Sequence, residues 1–253
     1  MMNASEKIAV VTGTSSGIGK AITKSLLTKG FKVYGIARTY ADIQHSNFVP
    51  IEADLSNPAS YQLIKNSITE DYIDILINDA GVAFETPALA FTEIDFKKMF
   101  GINFCAPILL TQTFKEKLRG FVINISSVSD RVIGENFALY CSSKSALNIY
   151  FDIIALEEKN IKFISLLPSY VDTPLLRTLQ KNNPDFDWSA TVQPADISLL
   201  INKIIDAPQD FFSGTHIIVA TEALKEDFEY HENIWGYNTD TNELKKLNQH
   251  QGL

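Results

Sequence analysis

A tyrosine followed four residues later by a lysine sets a phenol and an ammonium one turn apart on a single helix face. The sequence carries this pair twice, as Tyr61/Lys65 in "YQLIK" and Tyr140/Lys144 in "YCSSK". Proton transfer is the chemistry such a pair offers. A phenol near its reference pKa of about 10 is a poor base at neutral pH, and a nearby positive charge favours the phenolate. The other informative stretch opens the chain. In "VVTGTSSGIG", residues 10–19, Gly13, Gly17 and Gly19 alternate with Thr14, Ser15, Ser16 and Ile18, directly after apolar residues 8–11. One glycine suffices for a tight turn, so three of them mark a close approach to the main chain. Gly13 lets the chain turn, Gly17 keeps a side chain out of an incoming pyrophosphate's path, and Gly19 lets the next helix pack on the strand. That helix aims unpaired amides and its positive dipole end at the phosphates, and the hydroxyls of Thr14, Ser15 and Ser16 add donors.

These groups need elements to hold them. "KIAVVTG", "FKVYGIAR", "NFVPIEADL", "IDILINDAG", "GFVINISS", "IKFISLLPS" and "GTHIIVA" are apolar, β-rich runs. Helical periodicity separates them, in residues 19–30, 58–68, 96–118, 138–158 and 197–207. Near-continuous apolar strands between helices predict a parallel sheet covered on both faces. The expected fold is therefore α/β: a doubly wound sheet of about seven strands in three layers, with ligands at its carboxyl edge. Residues 1–253 are expected as one domain, with a polar C-terminal extension from about residue 221. Tyr61 falls on the helix between strands three and four and is expected as an ordinary helical pair with Lys65 solvated. Tyr140 heads the helix after strand five.

The spacing Gly-x3-Gly-x-Gly, with Thr12 before it, resembles the Thr-Gly-x3-Gly-x-Gly signature of the short-chain dehydrogenase/reductase family. The resemblance spans roughly residues 6–220, and the family is a Rossmann fold of about this length. Its catalytic core is Tyr-x3-Lys. Ser127, at the end of "NISS" and 13 residues before Tyr140, matches the family's serine, and Asn103 in "GINFCAP" matches the asparagine of its tetrad. The resemblance thus implies that Tyr140 and Lys144 form the working pair. Tyr140 would donate or accept the proton, and Ser127 would hold the substrate oxygen. Lys144 would favour the phenolate and bind the nicotinamide ribose, and Asn103 would support a water relaying protons towards Lys144. A nicotinamide does the redox work while the protein aligns it with the reacting carbon.

The same resemblance bears on the cofactor. NAD enzymes of the family usually place an acidic residue at the tip of strand two. Here that place falls near Ala37, and Arg38 follows. A guanidinium pairs with a 2′-phosphate through two parallel bonds, so NADP(H) is expected over NAD(H), with Ser15 assisting. Asp54, with Leu55 beside it, matches the aspartate that contacts the adenine amino group. The family's Asn-Asn-Ala-Gly element reads Asn78-Asp79-Ala80-Gly81, with a carboxylate replacing the second amide. In "PSYVDT", Ser169 replaces a glycine, and Val171 and Thr173 would bind the carboxamide end of the cofactor.

Net charge is -8, which argues against nucleic acid or an anionic membrane as partner. No apolar run approaches the ~18–20 residues of a membrane span, and the start passes straight into a strand. Cys105 and Cys141 follow no metal spacing, and neither do His45, His216, His231 and His250, so no metal is expected. Reduced thiols and a cytoplasmic location are expected. Residues 174–193 fall where the family carries a substrate lid. Leu175, Leu176, Phe186 and Trp188, with Phe84, Val128 and Tyr170, suggest a fairly apolar carbonyl or alcohol substrate. A homo-dimer or homo-tetramer is expected, as is common in the family. The alternatives are a dinucleotide-binding sensor without chemistry, and an epimerase or dehydratase.

Overall fold

The computed structural model describes residues 6–132, 134–222 and 234–246. Its strands are β1 Ile8–Thr12, β2 Lys32–Ala37, β3 Phe48–Glu52, β4 Ile73–Asn78 and β5 Leu118–Ile125. They continue with β6 Lys162–Pro168, β7 Thr215–Ala220, β8 Ile234–Asn238 and β9 Glu243–Lys246. All lie in one sheet in the order β3-β2-β1-β4-β5-β6-β7-β8-β9, and among the described residues only the β8–β9 pairing is antiparallel. The principal helices are α1 Gly17–Thr28, α2 Ala59–Ser67, α3 Glu93–Phe100, α4 Ala106–Phe114, α5 Ala138–Glu157, α6 Pro174–Leu179 and α7 Pro194–Asp206.

Successive strand residues face opposite ways, and here both directions are apolar. Ala9 and Val11 join the layer that contains Ile22 and Leu26 of α1 and Ile197 and Ile201 of α7. Ile8 and Val10 join the opposite layer, with Ile64 of α2, Phe114 of α4 and Leu147 and Phe151 of α5. That double burial is why the strands read as unbroken apolar runs. Strand order reverses on either side of β1, between β2 and β4, which opens a crevice at the carboxyl edge.

Two features differ from the sequence expectation. The helical run expected over residues 96–118 begins earlier, where Thr92 and Asp95 form a capping box, and is interrupted by a π-turn over Gly101–Cys105. Pro107 supplies the reason. It lacks an amide and its ring opposes the carbonyl four residues back, at Asn103, so the regular helical bond there is lost. Among the described residues the sheet also has nine strands rather than about seven. Residues 234–246, expected within a polar extension, form β8 and β9. Tyr237 is buried in the first apolar layer, and Trp235 packs on it. The polar stretch Asn238–Asn242 is the turn between them. Asn242 takes φ +57, a left-handed geometry that asparagine tolerates. His231 and His250 lie outside the described residues.

Candidate active site

The glycine loop joins β1 to α1. Gly13 and Gly17 take φ +76 and +54, values that side chains disfavour. Ser16, the N-cap of α1, makes no side-chain capping bond, and the first turn of α1 holds no acidic residue. Just before the loop, at the end of β1, Thr12 Oγ1 accepts the amides of Asp79 and Ala80, each at 2.9 Å, fastening the end of β4 to the end of β1. This fixes the Asp79 carboxyl against the loop. A Cβ added to Gly13 or Gly19 would stand 2.8 or 2.6 Å from Asp79 Oδ2. Burial pushes the Asp79 carboxyl up to about 7, against the opposing pulls of the Gly19 amide and the Lys144 charge.

A first cavity, of about 600 Å³, runs over this edge. Gly13, Ser15, Ser16, Gly17, Ile18, Arg38, Asp54, Leu55, Asp79, Ala80, Gly81, Tyr140, Lys144 and Thr173 all line it. Ser56, Lys97 and Lys98 line it as well, and no motif pointed to them. Asp54 Oδ1 accepts the amide of Ser56 at 2.9 Å and its hydroxyl at 2.7 Å. Those two bonds, and then the Arg38 charge, hold the Asp54 carboxyl below its usual range. Gly19 lies behind the loop, where Gly13 O would stand 2.6 Å from a Cβ placed on it. The Thr14 side chain points elsewhere. It is 1% exposed, its hydroxyl is buried without a partner, and it faces the bare backbone of Gly35 rather than the cleft.

A second cavity, of about 440 Å³, adjoins the first. Ser127, Val128, Tyr170, Val171, Leu175 and Leu176 line it, together with Phe137 and Cys141. Ile18, Ile125, Ser126, Tyr140, Thr173 and Leu175 line both cavities, so they form the junction. Ser127 ends the loop from β5. Its Oγ accepts the Ser129 amide at 3.1 Å, capping a short 3-10 turn. Burial raises the Tyr140 phenol, and a hydrogen bond with the Ser127 side chain partly offsets this. Lys144 is 5% exposed, and its Nζ donates to the Ile125 carbonyl at 2.9 Å. Burial lowers its pKa to about 8, with the Asp79 charge opposing. The Lys144 Nζ stands 5.9 Å from the Tyr140 ring centroid. The phenol is therefore shifted upwards by burial, opposite to the direction expected from the lysine charge.

Asn103 sits in the π-turn, buried at 1% exposure. Its Oδ1 accepts the Val82 amide, and its Nδ2 donates to the Val82 carbonyl, both at 2.9 Å, and to Ser143 Oγ at 3.1 Å. Ser143 donates in turn to the Tyr140 carbonyl at 2.7 Å. Asn103 thus ties the loop after β4 to the first turn of α5, beside Tyr140 and Lys144.

The family model for short chain dehydrogenase matches residues 7–184. The chain belongs to the short-chain dehydrogenase/reductase family. It is 27% identical over 193 residues to a benzil reductase ((S)-benzoin forming) of Bacillus subtilis, covering 70% of this chain and 79% of that one. It is 31% identical over 231 residues to an uncharacterized short-chain type dehydrogenase/reductase of Sinorhizobium fredii, covering 84% and 90%. A solved 4-hydroxyisoleucine dehydrogenase complexed with NADH superposes with TM-score 0.70 and 30% identity, covering 84% of this chain and 96% of the other. The family is one of oxidoreductases built on this sheet.

Several residues of this short-chain dehydrogenase/reductase take places the motifs did not indicate. Thr173, which lines both cavities, also caps α6: its Oγ1 accepts the Leu176 amide at 3.3 Å. Phe186 and Trp188 line neither cavity. They meet edge to face with ring centroids 4.8 Å apart, with Tyr170 against Phe186 at 5.2 Å and the Arg177 guanidinium over Trp188 at 4.8 Å. Phe84 also lies off both cavities, under the Lys98 ammonium at 5.4 Å. Cys105 and Cys141 are free thiols. His216 pairs with Asp152 at 2.7 Å, and His45 Nδ1 accepts the Asn47 amide. Among the described residues no helix is long and apolar enough to cross a membrane.

Proposed function

We propose that this chain transfers a hydride between NADP(H) and a carbonyl or alcohol carbon, with Tyr140 as general acid or base. The observation that carries the proposal is the position of Tyr140, which lines both cavities, with Lys144 in the first and Ser127 in the second. The first cavity suits a dinucleotide. Its loop glycines hold positive φ, the first turn of α1 has no side-chain cap, and a Cβ on Gly17 would stand 3.2 Å from the Thr173 methyl. A bound nicotinamide would supply the hydride donor or acceptor.

The chain's own residues do the rest. Ser127 offers a hydroxyl to the substrate oxygen, and the Tyr140 hydroxyl gives or takes the proton on that oxygen. Burial keeps the resting phenol protonated, so at neutral pH the enzyme stands ready as an acid for carbonyl reduction. Lys144, with a pKa near 8, is mainly charged at pH 7 and anchored by Ile125. Asn103 positions the first turn of α5 through Ser143. NADP(H) is favoured because Arg38 lines the cavity just past the end of β2, and the last residue of that strand is Ala37 rather than an acid. The apolar wall of the second cavity supports a fairly apolar carbonyl substrate, as does the benzil reductase relative. Exposed Leu109, Ile149, Ile153 and Leu156 on α4 and α5 support a homo-dimer or homo-tetramer. Two free thiols support a cytoplasmic location, and the whole chain is taken as one unit.

The test mixes purified protein with NADPH or NADH and a panel of aldehydes, ketones and diketones, following loss of the reduced nicotinamide's absorbance. Turnover with apolar ketones or diketones is expected. Tight cofactor binding without turnover on any substrate would favour a sensor instead. Arg38→Asp should weaken NADPH by about tenfold or more and NADH far less. Equal weakening of both removes the case for NADP(H).

A further inference from the structure

Asp79 is an unusual neighbour for an anion-binding loop. Among the described residues, only Asp54 and Asp79 bring carboxyls to the wall of the first cavity, and only Asp79 touches the glycine loop. Its Oδ2 and the Gly13 carbonyl oxygen both stand 2.6 Å from the point where a Cβ on Gly19 would lie. Two acceptor oxygens thus crowd the first turn of α1. The Gly19 amide already interacts with the carboxyl, so Asp79 takes up one of the first-turn amides of α1 from behind the loop and sets a carboxyl beside the helix end that would attract phosphate. An ionised carboxyl only accepts hydrogen bonds, whereas the neutral acid carries a donor as well. The asparagine usual in the family at this place also carries both, so the neutral acid imitates it and the carboxylate does not.

We propose that Asp79 is a proton-linked gate on the glycine loop: its neutral acid admits the phosphates of a dinucleotide, its carboxylate repels them, and binding takes up a proton there. The proposal rests on the dinucleotide function proposed for the first cavity. Lys144 approaches from α5, and its charge favours the carboxylate, as does the Gly19 amide from α1. The loop itself contributes only glycines and hydroxyls. The other ionisable groups on the cavity wall are Arg38, Asp54, Lys97, Lys98 and Tyr140. Burial outweighs the two opposing pulls and brings the carboxyl to about 7. A group so placed is divided between both forms at neutral pH, and a ligand that needs one form changes its proton count.

Isothermal titration calorimetry on the full chain tests this, with NADPH and with NADH at pH 7 in buffers of different ionisation enthalpy. NADH has no 2′-phosphate to titrate and gives the simpler arm. The wild type should take up about half a proton per dinucleotide bound, and Asp79→Asn close to none. Between pH 6 and 8 the wild-type affinity should fall about tenfold, and that of Asp79→Asn much less. No proton uptake by the wild type, or equal uptake by both proteins, overturns the gate and leaves dinucleotide binding standing. No binding of either dinucleotide overturns the proposed function, and the gate with it. If Asp79→Asn does not fold, the wild-type proton count with NADH decides alone.

Discussion

Tyr61/Lys65 on α2 and Tyr140/Lys144 on α5 share one spacing and differ in everything the tertiary structure adds. The Tyr61 hydroxyl donates to the Leu55 carbonyl at 2.7 Å, and burial, then the charges of Cys105 and Asp54, push it up to about 12. Lys65 is exposed. In the other pair the lysine is buried and the tyrosine stands between two cavities. The four-residue interval aligns a phenol and an amine in both cases. What surrounds the helix decides whether the phenol is a bolt or a reagent. A phenol spent on a backbone carbonyl has no proton to exchange with a ligand; one that lines a cavity beside a serine hydroxyl is placed for the exchange proposed for Tyr140.

The contrast predicts opposite phenotypes. Tyr140→Phe should lower kcat by about 10²–10⁴ with little change in stability, whereas Tyr61→Phe should leave kcat within about twofold. A catalytic loss in Tyr61→Phe equal to that in Tyr140→Phe would break the comparison.

Buried Lys144 should also mark the pH dependence of stability, whereas exposed Lys65 should not. Lys144 falls from 10.5 to about 8 on folding, so between those values the unfolded chain holds more protons and stability rises with pH. Asp79 rises from 3.8 to about 7, so between those values the folded chain holds more protons and stability falls with pH. Urea denaturation should therefore find a minimum between pH 7 and 8, with a depth on the order of 2 kcal/mol. Asp79→Asn should flatten the acid limb and Lys65→Gln should change neither. A monotonic profile across this range would contradict the burial of both groups.

The smallest effect belongs to the structural tyrosine. Tyr61→Phe leaves the Leu55 carbonyl without its partner and should cost about 1 kcal/mol in the same urea titration. A neutral result would mean that this bond adds nothing beyond the packing of the ring.

Much of the site was legible because its motifs are local. The positive φ of Gly13 and Gly17 and the strand–turn–helix around them follow from residue types within ten positions. Other features depend on distant contacts. Thr14 reads as a third hydroxyl donor in the loop, but the bare Gly35 on β2 makes room for its side chain on the far side. The strands at 234–246 are short and polar at their ends, so periodicity alone does not reveal them. The turn residues Asn238–Asn242 were the available signal. Ser56, Lys97 and Lys98 carry no motif and join the cavity only because the segment after β3 and the last turns of α3 both border it.

By itself the sequence determined the doubly wound sheet, the bare-backbone loop and the alignment of each phenol with its lysine, because apolar period, glycine geometry and helical pitch act over a few residues. Only the tertiary structure decided which phenol meets a cavity, which lysine loses its water and that the Asp79 carboxyl lies against Gly13 and Gly19. Solvent exposure and the nearness of opposing groups depend on residues far apart in the chain, and no local spacing specifies them.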